Sequence, residues 1–266
     1  MIILPRKKAT LFIKLSMLGA ISALSLQANA SDAVGPGDSD SKWVLGASVD
    51  AFNNPYSGEG SEAWLSPNLR YNGERFFINN GSLNLHIAKS NDFSAGLKVA
   101  LDSSFLSDRD DYKGNKKLAG LTERKETVLG GIYVNHDTDL GRLSFSALTD
   151  LGNEHDGQIA GLKYIFDLNA GNWNINPELG VEWLSADYVD HHVGVSRSEA
   201  TNSRSVYQGK DTFNAFVGIR ARYEVTENWD INVRTGVSKL GSGIEESPII
   251  DDDMLYQASF GVNYNF

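Results

Sequence analysis

At the end of the chain Met254, Tyr256, Ala258, Phe260, Val262, Tyr264 and Phe266 fall on one side of a period-two alternation, with mostly Gly, Ser, Gln and Asn on the other. Alternation over this length marks a tilted β-strand with one apolar face. Trp173, Ile175, Pro177, Leu179, Val181 and Trp183 repeat it against Asn174, Asn176, Glu178, Gly180 and Glu182. So do segments 213–224, 229–238 and 93–102, whose polar sides carry Arg220, Arg222 and Glu224, then Asp230 and Arg234, then Lys98 and Asp102. Segments 43–52, 63–71, 127–135, 140–149 and 159–168 show the pattern more weakly, and 127–135 is apolar on both faces. Segment 74–90 reads either as two short strands around Asn80-Gly81 or as a continuation of its neighbour. The first reading gives 12 strands and is preferred; the second gives 10. Pro67 and Pro177 each lack a ladder donor and are expected at bulges or strand ends.

The connections alternate in length. Those at 89–92, 136–139, 169–172 and 226–228 are short, while 103–124, 150–157, 185–210 and 240–252 are mostly much longer. A soluble β-sandwich has no reason for this asymmetry. An outer-membrane barrel does, because its turns face the periplasm and its long loops the outside. The expected fold is therefore an all-β, antiparallel, up-and-down transmembrane barrel, which satisfies every backbone group in lipid by closing on itself. Lys98, Glu178, Glu182, Arg220, Arg222, Glu224, Asp230 and Arg234 are expected in its lumen, where mixed signs would form ion pairs that largely plug it. A narrow pore is the alternative.

The other end of the chain carries an export signal. Arg6, Lys7, Lys8 and Lys14 precede the apolar run 15–26, and Ala28-Asn29-Ala30 sets a cleavage point near Ser31. The expected organisation is a signal peptide at 1–30, a flexible periplasmic leader at 31–42 and a barrel over 43–266. Residues 1–30 hold four basic side chains and no acidic one, so the formal charge falls from −10 to −14 after cleavage. So acidic a chain, without a basic cluster, is not expected to bind nucleic acid. The absence of cysteine excludes disulfides and thiolate metal sites.

Asp187, Asp190, His191 and His192 form the densest acid–histidine cluster. On an extended chain neighbouring histidines point to opposite sides, so a polar loop over the barrel mouth is the expected role rather than a metal site. His155, between Glu154 and Asp156, would face this cluster across the mouth and supply an acid–base pair, but no Gly-x-Ser-x-Gly nucleophile motif accompanies it. Asp108, Asp110, Asp111 and Asp251 to Asp253 lack the spacing of a calcium loop and read as solvated loop tips, with divalent bridging to lipopolysaccharide as the alternative. Neither a cofactor nor catalysis is expected.

Across essentially the whole mature chain the sequence resembles the MipA/OmpV family of outer-membrane proteins. The resemblance rests on Trp43 and Gly46, on Tyr56-Ser57-Gly58 followed by Pro67-Asn68-Leu69-Arg70-Tyr71, and on Arg75-Phe76-Phe77-Ile78. Its strongest part is Tyr188-Val189-Asp190-His191-His192-Val193-Gly194-Val195 with Glu199-Ala200; here His191 and His192 stand where the family usually has aromatics. The closing Tyr264-Asn265-Phe266 fits too, as the signal read by the barrel-assembly machinery. The resemblance implies a non-enzymatic scaffold in outer-membrane lipid and lipopolysaccharide that gathers a lytic murein transglycosylase and a bifunctional penicillin-binding synthase. The alternatives are the small pore and a surface adhesin or antigen.

Overall fold

The structure, a computed structural model, describes residues 42–79 and 81–266. The expected signal peptide and the expected leader up to residue 41 lie outside the described residues.

One antiparallel sheet closes on itself as a 12-stranded barrel. Its strands are β1 (Trp43–Asn53), β2 (Ser61–Asn72), β3 (Phe76–Asn79), β4 (Ser82–Lys89), β5 (Phe93–Asp102), β6 (Thr127–Thr138), β7 (Gly141–Asp150), β8 (Gln158–Phe166), β9 (Leu168–Ala170), β10 (Trp173–Leu184), β11 (Thr212–Glu224), β12 (Trp229–Lys239) and β13 (Met254–Asn265). β8 and β9 are two parts of one wall strand, since both pair with β10 in a continuous register. β1 pairs with β13 and closes the ring. Segment 74–90 is thus two strands, β3 and β4, with Gly81 between them at a φ of 100°.

The apolar faces look outward: Leu97, Leu179, Val217, Val233 and Phe260 are all exposed on the outer wall. In β6 the inward set is Leu129, Tyr133 and Asn135, with Ile132 outward, which resolves the face the sequence leaves open. At the end with the short turns, outward aromatics meet in tilted and edge-on contacts: Trp43 with Tyr71 at 4.5 Å, Trp173 with Tyr223 at 4.8 Å and Tyr264 with Trp229 and Phe266 at 5.0 and 4.7 Å. Rings with an apolar body and a polar edge favour a membrane interface, and in barrels the turn end is periplasmic.

Pro67 lies within β2 and Pro177 within β10, but Pro177 does mark a strand end across the ladder, where β8 stops at Phe166 and β9 starts at Leu168. Pro67 pairs in register with Ala47, and the register of β10 is the same on both sides of Pro177. Opposite Pro177 the Phe166 carbonyl has lost its ladder donor, and Asn176 Nδ2 donates to it instead at 3.0 Å. A side-chain amide replaces the missing N–H, and the register continues past the break.

Candidate functional site: a polar lumen under an apolar plug

The long segments do not stand away from the barrel. They fold into its mouth and bury an apolar cluster that includes Tyr56 from segment 54–60, Phe105, Leu106, Leu118 and Leu121 from 103–126, Val189, Val193 and Val195 from 185–211, and Ile244 and Ile249 from 240–253. Residues 187–192, expected as an extended polar loop, belong instead to an α-helix, α2 (Ala186–Val193); α1 (Arg109–Tyr112) and α3 (Ser242–Glu245) are single short turns. Ser185 caps α2 by accepting from Tyr188 N, and Asp211 Oδ1 accepts from Ala186 N at 2.6 Å. Tyr188, Val189, His192 and Val193 make its buried stripe. That spacing is helical and is the signal the extended reading overlooks.

Where α2 meets the wall, one carboxylate gathers three side chains. Asp102, at the top of β5, accepts from Tyr188 Oη at 3.0 Å and faces His192 Nε2 at 3.2 Å and His155 Nε2 at 3.4 Å. Gly157 N donates to His155 Nδ1 at 2.9 Å, which places the imidazole proton on Nε2, toward Asp102. The His191 ring lies 4.7 Å from that of His155 and 5.2 Å from that of His192, with Nε2 on the Lys125 carbonyl at 3.2 Å. Burial pushes the Tyr188 phenol well above its ordinary value, and the Asp102 and Glu182 carboxylates push it further, so it donates. Burial lowers His191 to about 4, and the neighbouring His192 and His155 add to the shift. The sequence brings His155 and the 188–192 cluster into view as a possible acid–base pair; Asp102 was visible only as an inward residue.

The remaining family-motif residues tie the plug together. Asp190 accepts from Gly209 N at 2.7 Å through its side chain and from Gly194 N at 2.8 Å through its carbonyl. A Cβ on Gly194 would stand 2.3 Å from the Asp190 carbonyl oxygen, so only Gly fits there. Val195 bridges to Tyr207, and Ala200 N donates to Ser196 O. Glu199 accepts from Thr122 N and Ser196 N, both at 2.8 Å, and from Arg124 Nη1 at 3.1 Å. Burial alone would raise its carboxyl, but these donors outweigh it and hold the group at about 2. Arg204 completes the stapling through the carbonyls of Glu199, Lys117 and Ala119. Neither arginine was legible as a staple, because their partners are carbonyls and a carboxylate from distant segments.

Below the plug the interior is charged. Glu178, fully enclosed, accepts from Arg234 Nη2 at 2.9 Å and faces Lys163 Nζ at 3.5 Å and Arg220 Nη2 at 3.7 Å. Lys98 and Glu182 are both buried on the inner face, and Arg222 is half-buried. Asp230, fully buried near the periplasmic end, accepts from the side-chain amides of Asn263 and Asn265, both at 2.9 Å. Glu224 has the inward parity but stands at the periplasmic rim, exposed to water. The loop aspartates have protein partners: Asp251 takes Ser57 Oγ, Gly58 N and Lys117 Nζ, Asp253 pairs with Lys239, and Asp108 caps Asp110 N.

A closed antiparallel barrel with an apolar outer band, a charged interior and clustered aromatics at its turn end is a transmembrane protein of the bacterial outer membrane. The family described as MltA-interacting protein MipA matches residues 45–266, and the chain belongs to that family. It is 24% identical over 255 residues to the MltA-interacting protein of Escherichia coli K12, covering 96% of this chain and 99% of that one. With outer membrane protein OmpV of Vibrio cholerae it shares 29% over 215 residues, 81% of this chain and 77% of the relative. Among solved structures the NanC porin superposes with a TM-score of 0.45 at 8% identity, covering 84% of this chain and all of the porin.

Proposed function

We propose that this outer-membrane barrel is a non-enzymatic, non-conducting platform that holds a lytic murein transglycosylase, and with it a bifunctional penicillin-binding synthase, at the inner surface of the outer membrane. The observation that carries the reading is the filled mouth: apolar loop side chains occupy the extracellular end and Glu178 draws three cations together beneath it. A barrel filled in this way offers its surfaces rather than a passage. The Asp102, His155 and His192 group works as a latch between α2 and the wall, since its side chains are at most 5% exposed and face one another. The name of the Escherichia coli relative supports a transglycosylase as the first partner. Each periplasmic turn is only a few residues long, from 73–75 to 225–228, while a stable interface buries about 800 Å² per partner. Residues 31–42, just before β1, therefore complete the contact surface.

Affinity capture with mature protein from detergent-solubilised envelopes tests the platform. Recovery of murein enzymes, lost on deletion of residues 31–42, is the expected result. Capture of none, together with loss of surface binding when 185–210 is removed, would replace it with the adhesin reading.

A further inference from the structure

The barrel wall has one weak seam. β2 is paired with β1 along its whole length, from Ser61 to Tyr71, but among the described residues with β3 only from Arg70 to Asn72. The β3–β4 hairpin is a wedge whose tip reaches Ala100, near the top of β5, yet only Arg70, near the bottom of β2. Among the described residues no strand pairs with the far side of β2 over residues 61–68.

The backbone direction on that side follows from two bonds. Asn72 N donates to Lys42 O, on the β1 side, at 2.9 Å, and Gly73 N donates to Phe76 O, on the β3 side, at 3.1 Å. The β1–β2 register is unbroken, so the odd-numbered residues 61, 63, 65 and 67 turn their backbone groups to the open side. Pro67 has no N–H to offer there. The open side therefore presents four carbonyls and three N–H groups, and a proline at its lower end blocks strand addition over the full length.

Its surroundings are apolar. Leu69 on β2, Leu83 and Leu85 on β4, and Val99 and Leu101 on β5 face outward and are exposed, which sets the seam in the lipid band. Unpaired backbone in lipid costs several kcal/mol per group, so the seam needs an occupant with donors as well as hydrocarbon. Just inside it stands Ser66, whose hydroxyl is buried and has no hydrogen-bond partner. Trp64 shares that inner face, its indole N–H donating to Glu62 at 3.0 Å.

We infer that the seam between β2 and the β3–β4 hairpin is a lateral binding site for a membrane amphiphile: an acyl chain lies between β2 and the hairpin, and a hydroxyl or amide beside the chain bonds the free carbonyls and Ser66. A protein strand is the less suitable occupant because Pro67 interrupts the edge.

The test uses mature protein in phosphatidylethanolamine/phosphatidylglycerol vesicles containing a 3-hydroxy fatty amide with a diazirine on its chain, a probe that carries both the hydroxyl and the amide beside the hydrocarbon. Photolysis of the unaltered protein is expected to mark Glu62, Trp64 or Ser66 as well as outward residues; adducts on outward residues alone would overturn the inference. In a second measurement Trp64 is kept as the sole tryptophan, and quenching by brominated acyl chains is compared with that of a sole tryptophan in Phe216→Trp, an inward position of β11 paired on both sides. Quenching about twofold stronger at Trp64, falling to the Phe216 level in Ser66→Phe, supports a chain reaching through the wall. Equal quenching, or dimers crosslinked through Leu65→Cys, would reject it, the latter in favour of strand pairing between two copies. Heat-modifiable migration on gels verifies that each variant is folded.

Discussion

The Tyr188 hydroxyl donates to Asp102 across 3.0 Å of buried space, joining a helix of the plug to the rim of the wall. Removing the hydroxyl leaves the carboxylate with two imidazoles, whereas removing the carboxylate strands three side chains at once. Tyr188→Phe is therefore expected to loosen the plug by about 1–3 kcal/mol, as for a buried group losing a charged hydrogen bond, and Asp102→Ala by more. Proteolysis of segment 185–211 in folded, vesicle-embedded protein measures both. Equal protection in the two variants and the wild type would show that the latch carries no load.

Acid should undo the plug in two stages. His191 is held at about 4, below its ordinary 6.5, first by burial and then by the neighbouring imidazoles. An undocked segment thus takes up the proton more readily, so this contribution is complete above pH 6.5 and fades toward pH 4. Glu199 is held at about 2, below its ordinary 4.5, and its contribution is lost as pH falls from 4.5 to 2. The groups facing His191 are His155, His192 and Asp102. Limited proteolysis with an acid-tolerant protease across this range should show both steps, and His191→Tyr should abolish the upper one alone.

Glu178 is the hub of the lumen charges. Replacing it with Leu leaves Arg234, Lys163 and Arg220 without their shared carboxylate, and breaking a buried pair from one side costs about 3–5 kcal/mol. The urea midpoint in detergent micelles should fall accordingly. Glu178→Leu combined with Lys163→Met and Arg234→Met should recover part of the loss, because the cations leave with the anion.

Much of this architecture is readable from residues in sequence, and the rest is hidden for physical reasons. Period-two alternation carries the wall because lipid imposes one rule on every outward position: Val217, Val233 and Phe260 all obey it. The plug obeys no such rule. Its α2 is eight residues long, too short to show more than one helical repeat, and its histidines make sense only beside Asp102, ninety positions away from His192. Pro177 is legible only in part: the ladder breaks opposite it, between β8 and β9, as a missing donor predicts, but Asn176 serves the Phe166 carbonyl and the register carries on beyond the break.

That substitution at the backbone separates two kinds of position on neighbouring strands. Arg at Val217, outward and 54% exposed, puts charge in lipid and should cost about 2–4 kcal/mol near mid-membrane. Asn176→Ala adds no charge, yet it strips the Phe166 carbonyl of its donor and should cost about 1–3 kcal/mol. Refolding titrations in urea check both, and a neutral Asn176→Ala would mean that water serves the carbonyl equally well.

Conductance decides between a filled barrel and a pore. The mouth is closed by apolar packing and the interior by the Glu178 group, two barriers in series, so removing one should not open the path. Purified wild type in planar bilayers is expected to give little or no current, and Arg220→Ala with Arg222→Ala little more while the plug stays docked. Acidifying the loop side below pH 4, where His191 has lost its preference for the docked state, should raise the current in that double variant beyond either change alone. Large, steady channels in the unaltered protein at pH 7 would show that the loops leave the mouth in a membrane, and the pore reading would replace the platform.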